Sequence, residues 1–469
     1  MISKIELKQL FTNIRFWIFL FFIVRLVGIT NPPLETGHNW RQVITNMVAR
    51  NMVVKEAKFF YPEIDMAGDL SGISGSEFPF FNWLIYLFSL LFDYSHWLGR
   101  LINLVVSSIG IFYFYKLINS YFSKQIAFNA AIILLASLWF SFSRKIMPDT
   151  FSVSLVFIGM YYGSSFLKSN NKLQLLLFFI FTTLGVLCKL PVIYLFGLYT
   201  LVFFSTIINN QKKIVIGISL VITTILAYIW YFVWVEYLFQ TYHYQLFFPK
   251  SFQQGLMEIK AFIPETFEQF YFSALRSYLA LLFVIVGLIF FFKKEKLLLK
   301  LTFLIVVIVF FAFIIKTGNV FPTHNYYVLP FVPVMAFLAS YGLNKAPLKL
   351  SYVLLGIIVF ESVLNQQHDF FIKDSEKYKL KLEQIVATSI EKDALIIING
   401  GESPQELYFT NRRGWTVEHS KLLAPIFIDS LVNRGATYLI LDKKKEPKIT
   451  TEYPIIYTDD FFEMIKLKE

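Results

Sequence analysis

The sequence predicts a mainly α, polytopic transmembrane helical bundle with a small soluble α/β domain at its C-terminal end. Three observations carry this expectation. Of 469 residues, 56% are hydrophobic and only 16% charged, against about a quarter charged in soluble globular chains. The apolar residues fall in blocks of about 15 to 22 separated by short charged clusters, the pattern of bilayer-crossing helices. From residue 370 onward charge rises and short apolar runs alternate with amphipathic stretches, as in an α/β domain.

The first block, 16–29, is apolar apart from Arg25 and follows Lys4, Lys8 and Arg15. It runs into Asn31-Pro32-Pro33 with no small-residue cleavage site, so it reads as a retained signal anchor. Further apolar blocks lie at 79–94, 100–116, 125–142, 150–167, 173–188, 190–208, 213–236, 275–292, 300–316, 325–344 and 350–365. The clusters Lys116/Lys124, Lys168/Lys172, Lys212/Lys213, Lys293/Lys294/Lys296/Lys300 and Lys345/Lys349 fall at alternate loops. Cytoplasmic loops are rich in Lys and Arg, so these clusters face inward in one consistent topology. That topology makes 78–92 re-entrant, since its length is short of the roughly 20 residues a crossing needs, and leaves about 11 to 13 spans. It sends the first loop (30–78), the 144–149 turn, Lys189, the long 237–274 loop and 318–327 to the outer face.

The expected domains are therefore 1–369 in the membrane and 370–469 as a soluble α/β domain on the outer face. Within the latter, helix-like stretches at 374–390 and 422–434 alternate with strand-like runs at 394–398 and 438–442. Gly400-Gly401 follows the first run, but without the rest of a phosphate-loop motif it reads as a tight turn. A single cysteine, Cys188, rules out an internal disulfide. The net charge of +11 is spread along the chain, which fits topology and contact with anionic membrane lipid. No basic-aromatic motif calls for nucleic acid.

The candidate functional residues gather around polar breaks between greasy blocks. His38, Arg41 and Gln42 lie within five residues in the first loop, after Glu35. The plain alternative there is an interfacial helix anchored by Trp40 with a snorkelling Arg41. Glu77 stands at the mouth of an apolar segment, where a carboxylate is costly unless paired or used. Asp149, after Arg144 and Lys145, fits a helix cap as well as a catalytic carboxylate. Lys189 sits between two apolar runs, and His324 and Tyr327 share a cluster with Asn325 and Tyr326. No Cys/His metal pattern, nucleophilic serine motif or Walker loop is present. No cofactor is called for, and a divalent cation held through carboxylates stays an open option.

Five segments in order carry a resemblance: His38-Asn39-Trp40-Arg41-Gln42, Gly75-Ser76-Glu77-Phe78-Pro79, Ser143-Arg144-Lys145-Ile146-Met147-Pro148-Asp149, Gly185-Val186-Leu187-Cys188-Lys189-Leu190-Pro191 and His324-Asn325-Tyr326-Tyr327-Val328-Leu329-Pro330. Together they resemble the bacterial branch of glycosyltransferase family 39, the protein O-mannosyltransferase and aminoarabinose-lipid A transferase superfamily with the GT-C fold. The resemblance covers the membrane part. It implies a multi-pass protein of the bacterial plasma membrane with its active site facing the periplasm. The implied reaction moves a sugar from a polyprenyl-phosphate donor to a hydroxyl acceptor, generally with inversion. Asp149 and Glu77 match acidic positions of the family, and Lys189 and His324 match its Lys-Pro and His-x-Tyr-Tyr segments. The chain departs from the family at His38-Asn39, where an acidic pair is usual, and at Phe78, where a lysine is common.

On this reading the base that takes the acceptor's proton is ranked Asp149 and Glu77 first, then His38 and Glu35. The lipid phosphate and sugar fall to Arg41, Gln42, Arg144, Lys189, His324 and Tyr327, because cations stabilise charge building on the leaving phosphate. Two other readings compete: a lipid-linked glycan transporter or flippase, and a polyprenyl-lipid-binding scaffold without turnover.

Overall fold

The computed structural model describes residues 9–247, 249–445 and 447–468; Lys4 and Lys8 of the basic lead lie outside them. The chain divides into two compact units, neither contiguous in sequence. One gathers Met1–Ile29, Arg100–Phe232 and Phe248–Phe370, the other Thr30–Gly99, Val233–Phe247 and Phe371–Glu469.

The first unit is helical throughout, and its helices fall on the apolar blocks of the sequence. Among the described residues, five helices are long and apolar enough to cross a bilayer: Leu98–Asn119, Pro148–Ser169, Asn210–Tyr242, Leu297–Thr317 and Asn325–Leu343. A sixth arises if Ile263–Ser273 and Tyr278–Lys294, bent by 95°, count as one span. Other apolar blocks are shorter helices, Lys124–Ala136 and Lys172–Cys188 in this unit and Phe80–Phe92 in the second. The 190–208 block departs from a plain α-helix. It winds as a 3-10 helix, Leu190–Tyr199, before a short α-helical turn, a tighter winding than is usually kept over so many residues.

One hairpin positions most of the chemistry in this unit. Pro148–Ser169 starts with proline at its first position, where the missing N–H costs nothing. It ends at Asn170 in the left-handed conformation, with φ +59°, a shape that asparagine tolerates. The next residue, Asn171, caps Lys172–Cys188 by accepting from Leu173 N at 2.8 Å. The two helices then run antiparallel in tight contact. A Cβ on Gly185 would lie 2.9 Å from Ser152 O, and one on Gly159 2.8 Å from Thr182 N, so only glycine permits the approach. This geometry sets the first turn of one helix beside the last residue of the other.

The second unit is built on a five-stranded sheet in the order β2-β1-β3-β5-β4. Its strands are β1 (Leu395–Ile398), β2 (Arg413–Thr416), β3 (Tyr438–Asp442), β4 (Ile455–Thr458) and β5 (Phe462–Lys466). β1 pairs in parallel with β2 and β3, whereas β5 is antiparallel to β3 and β4. Alternation divides the strand residues between two cores. Ile397, Leu439 and Leu441 meet Ile428 and Leu431 of Pro425–Asn433 on one face. Ile396, Ile398 and Ile440 share the other core with Val43, Ile44 and Met47. Those three belong to Asn39–Val54, the helix of the first loop.

A buried polar network fixes that helix. Arg50 bonds Asp65 Oδ2 at 2.8 Å and Tyr408 O at 2.8 Å, and its guanidinium lies 4.4 Å from the Tyr408 ring centre. Lys55 and Asn51 also donate to Asp65 Oδ1, at 2.8 and 3.1 Å. Burial pushes the Asp65 carboxyl up, but Arg50 and Lys55 outweigh it and hold it below the ordinary carboxylate range. A carboxylate depressed in the folded state stabilises above the unfolded value, about 3.9, and that contribution fades as pH falls through the folded value. Replacing Asp65 with Asn is therefore expected to cost about 3–5 kcal/mol at pH 7, because Arg50 stays buried without its counter-charge. Thermal melts of the full chain between pH 7 and 3 check this: the wild type should lose stability below about pH 4 and the variant should show a flatter profile.

Candidate active site

The candidate residues form two sets, one in each unit. In the sheet-containing unit the first loop enters its helix through His38, whose φ of +57° places it in the left-handed region. That conformation is uncommon for a residue with a Cβ and marks a constrained turn. The His38 carbonyl accepts from the backbone of Arg41 and Gln42 at 3.1 and 3.2 Å, which closes the first helical turn. Arg41 then forms an ion pair with Glu77, both side chains partly buried. Gln42 is fully buried. Glu35 is also fully buried and accepts from Asn31 Nδ2 at 2.9 Å. The Trp40 indole N–H donates to Glu402 O at 3.0 Å, so its polar edge is engaged by the loop after β1.

In the helical unit the hairpin places Asp149, in the first turn of Pro148–Ser169, against Lys189, the residue that ends Lys172–Cys188. Lys189 Nζ lies 3.1 Å from Asp149 Oδ1, and both side chains are nearly fully buried. Asp149 is not the cap that the sequence allowed. The helix begins one residue earlier, at Pro148, and Met147 occupies the capping position without a side-chain bond. Lys189 also sits 5.4 and 5.5 Å from the ring centres of Tyr326 and Tyr327, which stack on each other at 4.6 Å. Such contacts are worth more when desolvated. His324 joins this aromatic group, its ring 5.6 Å from Tyr326 and 6.4 Å from Tyr327. Burial lowers the His324 imidazole's proton affinity, and a bond to Val320 O opposes this in part.

Arg144 and Lys145 lie on the 143–147 turn that leads into Asp149. Both are buried, and the Arg144 guanidinium stands 4.2 Å from the Phe370 ring centre. Asn103 holds this turn. Its carboxamide nitrogen lies within bonding distance of Phe142 O, Lys145 O and Met147 O, at 3.1, 2.8 and 3.2 Å. Its oxygen accepts from Ser107 and Thr150 at 2.8 and 3.0 Å. Sequence reasoning missed Asn103. Its signal was an amide within an otherwise apolar block, the kind of residue that marks buried hydrogen-bonding work.

Asp149, Lys189, His324 and Tyr327 therefore meet in one unit, with Arg144 on the adjoining turn, while Arg41 and Glu77 pair in the other. Glu35 bonds Asn31. Among the described residues no three His, Cys, Asp or Glu side chains gather closely enough to hold a metal ion.

No curated protein matches the chain in sequence. Residues 76–231 match the family described as dolichyl-phosphate-mannose-protein mannosyltransferase, a stretch that includes Glu77, Arg144, Asp149 and Lys189. The chain is similar in structure to ArnT from Cupriavidus metallidurans bound to undecaprenyl phosphate. That match has a TM-score of 0.61 at 12% identity and covers 96% of this chain and 98% of ArnT; the apo state gives 0.62 at 11%, covering 96% and 97%. It is also similar to the archaeal oligosaccharyltransferase AglB from Archaeoglobus fulgidus, in complex with an inhibitory peptide and a dolichol-phosphate. There the TM-score is 0.57 at 11% identity, covering 91% of this chain and 69% of AglB. The chain thus has the GT-C fold and, over residues 76–231, is similar to the dolichyl-phosphate-mannose-protein mannosyltransferase family.

Proposed function

We propose that the chain is a membrane glycosyltransferase that moves a sugar from a polyprenyl-phosphate carrier to an acceptor hydroxyl, with inversion at the anomeric carbon. The proposed setting is the bacterial plasma membrane, with transfer on its non-cytoplasmic face. The observation that carries the reading is the buried Asp149–Lys189 pair against the Tyr326–Tyr327 stack. A buried ion pair is often no more stabilising than apolar side chains of the same volume, and charged groups inside membrane bundles are costly and as a rule functional. The likeness to ArnT bound to undecaprenyl phosphate supports a lipid phosphate as the group those charges serve.

In the proposed step the acceptor oxygen bonds to the anomeric carbon as the bond from that carbon to the phosphate oxygen breaks. The electron pair leaves with the lipid phosphate, which passes from a singly charged diester to a monoester with up to two negative charges. Lys189 and Arg144 stabilise the charge that develops, and Arg41 is assigned the same task from the first loop. His324, Tyr327 and Gln42 are assigned to hold phosphate or sugar. The acceptor's proton goes to a carboxylate, Asp149 or Glu77 ahead of His38 and Glu35. A bonded cation fixes the position of each of the first two.

Two measurements test this. Purified chain in lipid nanodiscs, given a panel of radiolabelled polyprenyl-phosphate sugars and hydroxyl acceptors, should release polyprenyl phosphate with at least one donor. Asp149→Asn should slow release by about 10²–10⁴-fold, the usual worth of a positioned base. Polyprenyl-phosphate binding with no release from any donor would favour a transporter or a scaffold. Separately, Lys189→Met should destabilise the chain by about 3–5 kcal/mol by removing one partner of a buried ion pair. Adding Asp149→Asn should restore much of that stability but not the transfer. An unchanged melting temperature for Lys189→Met would contradict the pairing.

A further inference from the structure

The buried charge that the proposed step leaves unused is Arg25. It ends the helix Ile14–Arg25 and is 0% exposed. All of its hydrogen-bond acceptors are neutral: Phe21 O at 3.0 Å, Ser143 Oγ at 2.5 Å and Ser108 Oγ at 3.2 Å. Among the described residues no carboxylate pairs with it. The charge that acts on it is of like sign, that of Arg144, the residue after its partner Ser143. Two guanidinium groups in one apolar interior repel each other, and a buried charge without a counter-charge is strongly unfavourable. Arg25 therefore adds a net positive field at the 143–147 turn, which an anion arriving there would meet.

The same turn is fastened from its other side by Asn103. The amide has only two hydrogens for the three carbonyls around it, so it grips the turn through an exchangeable set of bonds. Ser143 opens this turn: its hydroxyl accepts from Arg25 and faces Phe140 O at 3.5 Å. The turn that presents Arg144 and Lys145 and leads to Asp149 is thus held at a fixed distance from a permanent positive charge.

We propose that Arg25 is a positioning residue that tunes this turn for a phosphate monoester dianion, the form in which a spent lipid carrier leaves. The inference rests on the proposed reading of a lipid-phosphate leaving group. Arg25 does not touch the phosphate. It orients Ser143 and Arg144 and adds a field that favours two negative charges over one or none. A free phosphate ion has the same headgroup chemistry, so the source must be separated by experiment.

The test is binding to the full chain in nanodiscs, which needs no turnover and so stands apart from the transfer assay. Affinities are measured for polyprenyl phosphate, uncharged polyprenol and inorganic phosphate, with wild type, Arg25→Gln and Arg25→Lys. Arg25→Gln should weaken polyprenyl phosphate by about tenfold or more, as expected for losing one charge at short range in a low-dielectric interior, and leave polyprenol within about twofold. Arg25→Lys keeps the charge and should retain most of the phosphate preference. A merely structural role would lower both lipids alike, and that result would overturn the proposal. So would an unchanged preference in Arg25→Gln, or inorganic phosphate displacing the lipid at matched concentration. Ser143→Ala guards against a folding defect at Arg25: it should weaken the phosphate severalfold and spare polyprenol, and equal loss of both would count against the proposal. Wild type that binds the phosphate but transfers no sugar would defeat the transferase reading while leaving the Arg25 preference measurable and supported.

Discussion

The interaction on which the helical unit depends is the Asp149–Lys189 ion pair. In an apolar interior two opposite charges attract strongly, yet each costs several kcal/mol to remove from water. Such a pair persists only where the backbone fixes both partners. The Asn170-Asn171 turn makes the helices antiparallel, and Gly159 and Gly185 let them approach until the first turn of one meets the end of the other. The Pro191 break then leaves Lys189 outside regular α-helix, where its ammonium meets the Tyr326–Tyr327 stack. The sequence features that look like interruptions of a greasy helix, Pro148, Gly185 and Pro191, are the ones that assemble the charged group.

The same rule shapes the sheet-containing unit. The helix Asn39–Val54 of the first loop is part of a folded core. Val43, Ile44 and Met47 complete one face of the sheet, and the Arg50–Asp65 network locks the helix that carries them. Once that helix is fixed, the left-handed turn at His38 and the Arg41–Glu77 pair follow, because the first helical turn has nowhere else to point. The residues of the first motif are thus supported by contacts far along the chain, such as the bond from Trp40 to the loop after β1.

Much of this was legible in the sequence, for physical reasons that can be named. Apolar blocks between charged clusters report helices directly, so the helical unit could be read from periodicity and composition. The strands 394–398 and 438–442 were visible because β-branched and leucine runs end at Gly and Asp, whereas β2 and β5, of similar length, interleave glycine or charge with apolar residues. Glu77, Asp149 and Lys189 were visible as charges where charge is expensive. Their partners were not: Asp149 with Lys189 and Arg41 with Glu77 are separated by tens of residues, and pairing depends on a tertiary contact that no local pattern encodes. The packing of the first-loop helix on the sheet was hidden for the same reason. Asn103 and the role of Arg25 were hidden because one polar residue in an apolar block looks alike whether it clamps a turn or lines a path.

The measurement that bears most directly on the central claim is a structure of the chain with polyprenyl phosphate bound. The account predicts a phosphate oxygen within about 2.7–3.2 Å of Lys189 Nζ, the range of a direct hydrogen bond, with the Arg144 side chain turned toward it. A lipid whose phosphate lies away from both, with Lys189 still engaged by Asp149, would contradict it.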